Sequence, residues 1–144
     1  MRTLIIIVVV ALYSVMAHAD VDMDIIKQIE SAGDPYALSS SGAIGLYQLM
    51  PITLQEWNQY HKSEQYKLND LWNPAINEKI ATWYMNVRIP QMLRHYKKPV
   101  TLQNCLIAYN AGISYVAKNL SVPKETRDYI VKYERESAKR YYCF

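Results

Sequence analysis

The stretch Asn73-Pro74-Ala75-Ile76-Asn77-Glu78-Lys79-Ile80-Ala81-Thr82-Trp83-Tyr84-Met85-Asn86-Val87-Arg88-Ile89-Pro90-Gln91-Met92-Leu93-Arg94-His95-Tyr96 decides the fold class. Asn73 followed by Pro74 is a helix start: asparagine caps free backbone N–H groups, and proline is at home in the first helical position. From there Ile76, Ile80, Tyr84 and Val87 recur every three to four residues, the spacing of one helical face. The pattern predicts a helix reaching Tyr96 with a kink at Pro90, closed by Lys97-Lys98-Pro99. As the longest periodic segment it is expected to be the central scaffold.

Downstream, Thr101 can cap a helix over 102–109, which Asn110-Ala111-Gly112 breaks. A short helix is expected over 114–120, and an amphipathic one over 123–140 bearing Tyr129, Ile130 and Tyr133. Upstream, residues 61–70 read as polar loop, and the helix before them has Pro51 near its start and Trp57 as its large apolar residue. Residues 43–50 read as a short helix with Ile44, Leu46 and Leu49 as core. Residues 34–42 read as a loop in which Ser39-Ser40-Ser41 supply hydroxyls and Gly42, with Gly45 beyond it, allows close backbone approach. The first mature helix spans 21–32, with Met23, Ile25, Ile26 and Ile29 at helical spacing and Asp22 and Asp24 in its first turn. Gly33 ends it and Pro35 prevents resumption. No alternating β pattern of useful length occurs, so the fold class is all-α.

At 144 residues the chain is sized for one domain, and with 51% apolar residues it can bury a core. A net charge of +3 with no run of Lys and Arg argues against nucleic acid as a partner. Thirteen Tyr and three Trp against one Phe suit carbohydrate stacking as well as packing.

Arg2, the mostly apolar run from Leu4 to Met16, and Ala17-His18-Ala19 form a secretory signal peptide over residues 1–19, too short for the roughly 18 or more residues of a membrane span. Cleavage after Ala19 would export a domain of residues 20–144 to the periplasm. In an oxidising compartment Cys105 and Cys143 are candidates for a disulfide, which would contribute about 3–5 kcal/mol by closing so long a loop. The alternative is a buried free Cys105.

Glu30 falls in the last turn of its helix, one turn beyond Ile26. A helix C-terminus and aliphatic neighbours both disfavour its anion, whereas pairing with Lys27 would keep it solvated and charged. Periodicity does not decide between the two. No metal-ligand set is present, nor a serine-hydrolase elbow or a phosphate loop, and no cofactor is implied. General acid–base chemistry by a carboxylate remains, with glycoside cleavage its commonest setting. Asp34, the nearest second acid, lies off the helix beyond a glycine, where its geometry cannot be judged.

Glu30-Ser31 with Pro35, Ala37 and Ser39, followed by Gly42-Ala43-x-Gly45-Leu46-x-Gln48-x-Met50-Pro51, resembles the signature of soluble lytic transglycosylases, which have the goose-type lysozyme-like (SLT) fold. Ala108-Tyr109-Asn110-Ala111-Gly112 and Glu125-Thr126-Arg127-Asp128-Tyr129 follow in the family's order. The resemblance implies that Glu30 is the single catalytic acid and then the base. It would cleave the bond between N-acetylmuramic acid and N-acetylglucosamine in peptidoglycan, leaving a 1,6-anhydro product without consuming water. It implies that Ser39 and Gln48 hydrogen-bond the sugar or the catalytic carboxyl and that Met50 lines the cleavage subsite. Tyr109 and Asn110 would form the opposite wall, and Tyr129 a cleft tyrosine. Glu125 and Arg127 read as cap and ion-pair residues of the last helix.

Position 33 is Gly where the family usually has an aromatic, which leaves one wall more open. With no accessory domain, the chain resembles the small, monomeric exported enzymes that open peptidoglycan for secretion systems, conjugation machines or pili. Two other functions fit the same fold: a hydrolytic muramidase, and a peptidoglycan-binding assembly factor with little turnover.

Overall fold

The computed structural model describes residues 20–142. The signal-peptide expectation for residues 1–19 and the pairing of Cys105 with Cys143 therefore lie outside the described residues. Within them the chain is all-α, with isolated β-bridges and no named strand. No helix among the described residues is long and apolar enough to cross a membrane.

Helix α1 (Met23–Ser31) starts where the Asp22 carboxylate accepts from the backbone N–H groups of Asp24 and Ile25 at 3.0 and 3.3 Å. It ends at Ala32, in the left-handed conformation, whose N–H returns to the Gln28 carbonyl. Ile25 and Ile26 are buried. Helix α2 (Pro51–Tyr60) has the expected proline start and buries Trp57. The polar segment after it is tied back to α2: Trp57 Nε1 donates to the Glu64 carbonyl at 2.9 Å, and Asn58 Oδ1 accepts from Tyr66 N at 2.9 Å. The segment closes in a 3-10 turn, Leu68–Trp72.

The helix expected over 43–50 does not form. Gly45 has φ +76° and Gln48 φ +47°, so the backbone reverses instead of coiling. Ile44 and Leu49 exchange two hydrogen bonds of 3.0 Å, and Gly45 N donates to the Ala37 carbonyl at 2.8 Å. The expected core residues Ile44, Leu46 and Leu49 are buried, joined by Tyr47. An apolar turn pinned on both sides gives the same sequence spacing as a short helix.

Helix α3 (Pro74–Trp83) begins as expected, with Asn73 Oδ1 accepting from Ala75 N and Ile76 N at 3.0 and 3.4 Å. A π-helical turn over Tyr84–Arg88 then carries it into α4 (Ile89–His95), with Ile89 N bonding back to the Tyr84 carbonyl. The π turn lies just ahead of Pro90, whose missing N–H and bulky ring disfavour ordinary i→i−4 pairing there. One extra residue in a turn rotates the following face by about 100°. The expected stripe therefore fails at Val87, which is 41% exposed, and Met85, Ile89, Met92 and Leu93 are buried in its place.

Thr101 Oγ1 caps α5 (Leu102–Asn110) by accepting from Asn104 N at 3.1 Å. Gly112, at φ +97°, separates it from α6 (Ile113–Ala117), which is shorter and earlier than expected. Helix α7 (Lys124–Tyr142) packs against α1 and α5, burying Thr126, Tyr129, Ile130 and Tyr133. Cys105 is buried in this core, and burial pushes its thiol up to about 11.

Candidate active site

Lys27 donates to Asp24 at 2.8 Å, not to Glu30, which decides between the two readings of the carboxylate. Glu30 is half-buried at the end of α1, and desolvation raises its pKa from the ordinary 4.5 to about 7. A hydrogen-bonding pull from the Tyr129 phenol opposes the rise, and the Glu125 carboxylate adds to it. The Tyr129 hydroxyl is fully enclosed and has no partner in strict hydrogen-bond geometry, so it lies beside Glu30 as a donor in reserve. Burial and the negative charge of Glu30 keep that phenol protonated.

A cavity of about 280 Å3 gathers Glu30, Ser39, Ser41, Ala43, Gln48, Met50, Tyr109, Asn110 and Glu125. Six of the seven sequence-predicted site residues therefore line one space, and the seventh, Tyr129, is buried and electrostatically coupled to Glu30.

Their polar atoms are not all turned toward a ligand. Ser39 Oγ accepts from Ala43 N at 2.9 Å and shares a 2.9 Å hydrogen bond with Ser41 Oγ, so it stiffens its own loop. Gln48 Nε2 donates to the Ala37 and Gly45 carbonyls at 3.1 and 3.0 Å, which leaves Oε1 as its contribution to the cavity. The Tyr109 hydroxyl donates to the Tyr47 carbonyl at 2.8 Å and so braces the loop across the cleft. Burial first, then the Glu30 charge, hold the Tyr109 phenol protonated. Asn110 Oδ1 accepts from Thr126 Oγ1 at 2.7 Å, directing its amide N–H groups elsewhere. Met50 is 37% exposed at the head of α2.

The loop wall is fixed from behind by Asn77, which is fully buried. Its Oδ1 accepts from Tyr47 N at 3.0 Å, while Nδ2 donates to the carbonyls of Ile44 and Leu71, both at 2.9 Å. A Cβ on Gly45 would stand 2.5 Å from Asn77 Nδ2, so glycine is required there by space as well as by φ. The Tyr47 peptide unit is thus held between Asn77 on one side and the Tyr109 hydroxyl on the other.

Sequence reasoning missed Ser41, Ala43 and Glu125 as lining residues. Glu125 is the acid of the first turn of α7, as its capping reading expects, and it also lines the cavity. The ion pair beside it joins Lys124 to Asp128, and Arg127 donates to the Val122 carbonyl. The i, i+4 spacing of Glu125 and Tyr129 on α7 was the available signal. Gly33, at φ +83°, has no atom within 4 Å of where a Cβ would stand, in keeping with an open wall at that end.

A larger cavity, about 470 Å3, lies between the start of the described chain and α7, lined by Asp20, Asp22, Leu102, Tyr133, Ser137 and Arg140. Arg140 pairs with Asp22 there at 2.6 Å, and Asp22 N donates to the Tyr133 hydroxyl at 2.7 Å. Asp22 and Arg140 neutralise one another there, whereas the smaller cleft holds the Glu30 carboxyl.

The helical fold around this cleft has counterparts among solved structures with a lysozyme-like fold. Over 76% of its length the chain superposes on the 70 kDa soluble lytic transglycosylase of Escherichia coli with a TM-score of 0.61 and 27% identity, covering 19% of that chain. An inactive glutamate-to-glutamine mutant of the lytic transglycosylase Slt of Pseudomonas aeruginosa gives 0.59 and 25%, with 76% and 20% coverage. Residues 20–131 match the transglycosylase SLT domain family. The chain belongs to that family. It is 32% identical over 106 residues to membrane-bound lytic murein transglycosylase E of Buchnera aphidicola, covering 70% of this chain and 48% of the relative. It is 30% identical over 109 residues to membrane-bound lytic murein transglycosylase C of Actinobacillus succinogenes, covering 74% and 30%. The chain thus spans about half the length of the first relative and under a third of the second.

Proposed function

We propose that residues 20–144 form a peptidoglycan lytic transglycosylase domain in which Glu30 is the catalytic acid and base. The observation that carries the reading is the half-buried Glu30 carboxyl, raised to about 7, facing a polar cleft. At neutral pH a large share of Glu30 is protonated and able to give its proton to the glycosidic oxygen of the leaving N-acetylglucosamine. The resulting carboxylate takes the proton of the muramic acid C6 hydroxyl as that oxygen bonds to C1, and the 1,6-anhydro ring closes. The proton that left Glu30 is replaced and no water enters. Tyr129, enclosed beside Glu30, supplies a donor that stabilises the carboxylate in mid-reaction. Ser39, Gln48, Met50, Tyr109 and Asn110 shape the sugar site, Ser39 and Gln48 chiefly by holding the loop.

One observation favours a second reading. Glu125 is a second carboxylate in the same cavity, and a pair of carboxylates is what a hydrolytic muramidase uses. The names of the relatives, lytic murein transglycosylases, support the first reading over the second. Export through residues 1–19 and local cell-wall opening for a secretion, conjugation or pilus assembly complete the proposal. Both rest on the sequence pattern.

Mass spectrometry of peptidoglycan digested by residues 20–144 tests it, with Glu30→Gln as the control. Anhydro-ended products that disappear in Glu30→Gln are expected. Reducing ends from the wild type would establish the muramidase. Equal release by the mutant would remove Glu30 from the chemistry, and no release by either protein would leave the assembly-factor reading.

A further inference from the structure

Charge is unevenly distributed along the chain. Residues 79–124 hold seven Lys and Arg and no Asp or Glu. Three of the seven pair with acids outside that stretch: Lys79 with Glu64, Arg88 with Glu56 and Lys124 with Asp128. The other four, Arg94, Lys97, Lys98 and Lys118, have no ion pair among the described residues. They gather on two chain reversals, at the end of α4 and at the end of α6, helices that pack against each other. Lys98 Nζ donates to Asn119 Oδ1 at 2.7 Å and ties the two reversals together. Each turns through a left-handed residue, Lys97 at φ +55° and Asn119 at φ +52°. Backbone bonds close them, from Lys98 N to the Leu93 carbonyl at 2.8 Å and from Leu120 N to the Tyr115 carbonyl at 3.0 Å. Tyr96 and Leu120 stand among these cations, 47% and 45% exposed. We propose that the paired reversals are a membrane-docking surface that takes the headgroups of anionic phospholipids. The inference does not rest on the peptidoglycan reading.

Helix stability does not account for this much charge. Cations suit helix C-termini, but two such ends carry only about one negative charge between them, which leaves most of the four unmatched. The excess is also local. Residues 20–78 and 125–144 hold eight Lys and Arg against thirteen Asp and Glu, so the basic end stands on an otherwise acidic domain. An exposed tyrosine and leucine ringed by lysines have the composition of an interfacial surface. The amines meet phosphate, the phenol lies at headgroup depth and the leucine reaches the acyl chains. The lysine stems add apolar contact while their amines stay in water. Chain reversals project beyond the helices they end, which suits a broad bilayer over a peptide that needs a groove. The position also suits the site. Helix α5 begins at this end, where Asn104 Nδ2 donates to the Pro99 carbonyl at 2.9 Å, and finishes at Tyr109 and Asn110 in the cleft. Its 9 residues span about 13 Å, so a bilayer held at the reversals leaves the Glu30 cleft open.

Vesicle sedimentation tests this with residues 20–144, which contain every described residue. Vesicles of phosphatidylglycerol mixed with phosphatidylcholine should carry the protein down, and high salt should release it. Vesicles of phosphatidylcholine alone should leave it in solution. Lys97→Asn with Lys118→Gln removes two exposed cations, and asparagine tolerates the left-handed backbone at 97. That pair should weaken binding about 10- to 30-fold. Lys62→Gln with Lys132→Gln removes the same charge from exposed positions elsewhere and should bind as the wild type does. Turnover of soluble glycan strands should be the same in the Lys97→Asn, Lys118→Gln variant as in the wild type. No binding to the anionic vesicles, equal binding to both kinds, or an equal loss in the control pair would overturn the proposal. Capture by soluble polyglutamate as tight as by the anionic vesicles would overturn it in favour of an acidic polypeptide partner. A fall in turnover would show that the reversals support the cleft, and would overturn it too. A wild type that binds in the expected pattern but cleaves no strand refutes the enzymatic reading alone and leaves the docking surface standing.

Discussion

Replacing Asn77 by Ala removes a side chain that holds the loop wall of the cleft from behind. Tyr47 N and Leu71 O lose their side-chain partner, while Ile44 O loses one bond and keeps that from Leu49 N. A buried polar group left unpaired costs about 1–3 kcal/mol, so two would cost about 2–6. A water in the vacated polar space could recover part of this, which brings the expected loss to about 2–4 kcal/mol. For a domain of this size that corresponds to a fall in Tm of about 8–16 °C. Asn77→Asp keeps the acceptor for Tyr47 N but turns a carboxylate toward two carbonyls, and should be at least as damaging at neutral pH. Thermal unfolding followed by circular dichroism gives the stability, and turnover well below both melting points reports the cleft. Activity should fall more than the folded fraction does, because Tyr109 and Gln48 lose their fixed loop. A loss below 1 kcal/mol, or turnover that simply tracks the folded fraction, would refute the reasoning.

Other expectations concern charge in the cleft. With protonated Glu30 as the acid, kcat/KM should decline as pH rises through about 7, and a decline centred near 4.5 would contradict the burial argument. Glu125→Gln removes a like charge and should move that limb to lower pH, whereas Tyr129→Phe removes the opposing hydrogen-bond pull and should move it higher; the reverse shifts would show that the causes are misassigned. Stability carries the same signature. Folded Glu30 holds its proton up to about 7 and an ordinary glutamate only to about 4.5, so the fold loses up to about 3 kcal/mol as pH rises through that window. Glu30→Gln should therefore raise stability at pH 8 and leave it unchanged at pH 4. Denaturant titrations showing no difference at pH 8 would refute it.

Helix starts were legible in the sequence because they depend on neighbouring residues: Asn73-Pro74 and Thr101 cap α3 and α5 as their types require. The loop over 43–50 was not, because Ile44, Leu46 and Leu49 carry a spacing that a helix and a buried turn share. The deciding partner, Asn77, lies 30 residues or more away from Tyr47 and Ile44. The exposed Val87 has a comparable origin. The π turn at Tyr84–Arg88 rotates the helix, and periodicity read from the first half cannot announce it. In the candidate site, Glu30 and the loop residues were found by motif. The raised pKa of Glu30 was half-anticipated from its helix end and Ile26, but the absence of pairing to Lys27 depends on Asp24 taking that lysine. Glu125 was legible as the first-turn acid of α7 but not as a cleft residue, because nothing local shows which glutamate faces a cleft formed by distant segments.

The central claim is that Glu30 uses the sugar's own hydroxyl in place of water. Digestion of peptidoglycan in heavy-oxygen water tests this most directly, with each new chain end read by mass spectrometry. Anhydro ends carrying no solvent oxygen are expected, and none of them released by Glu30→Gln. Ends that carry one heavy oxygen each would contradict it and make Glu30, with Glu125 beside it, a water-activating pair.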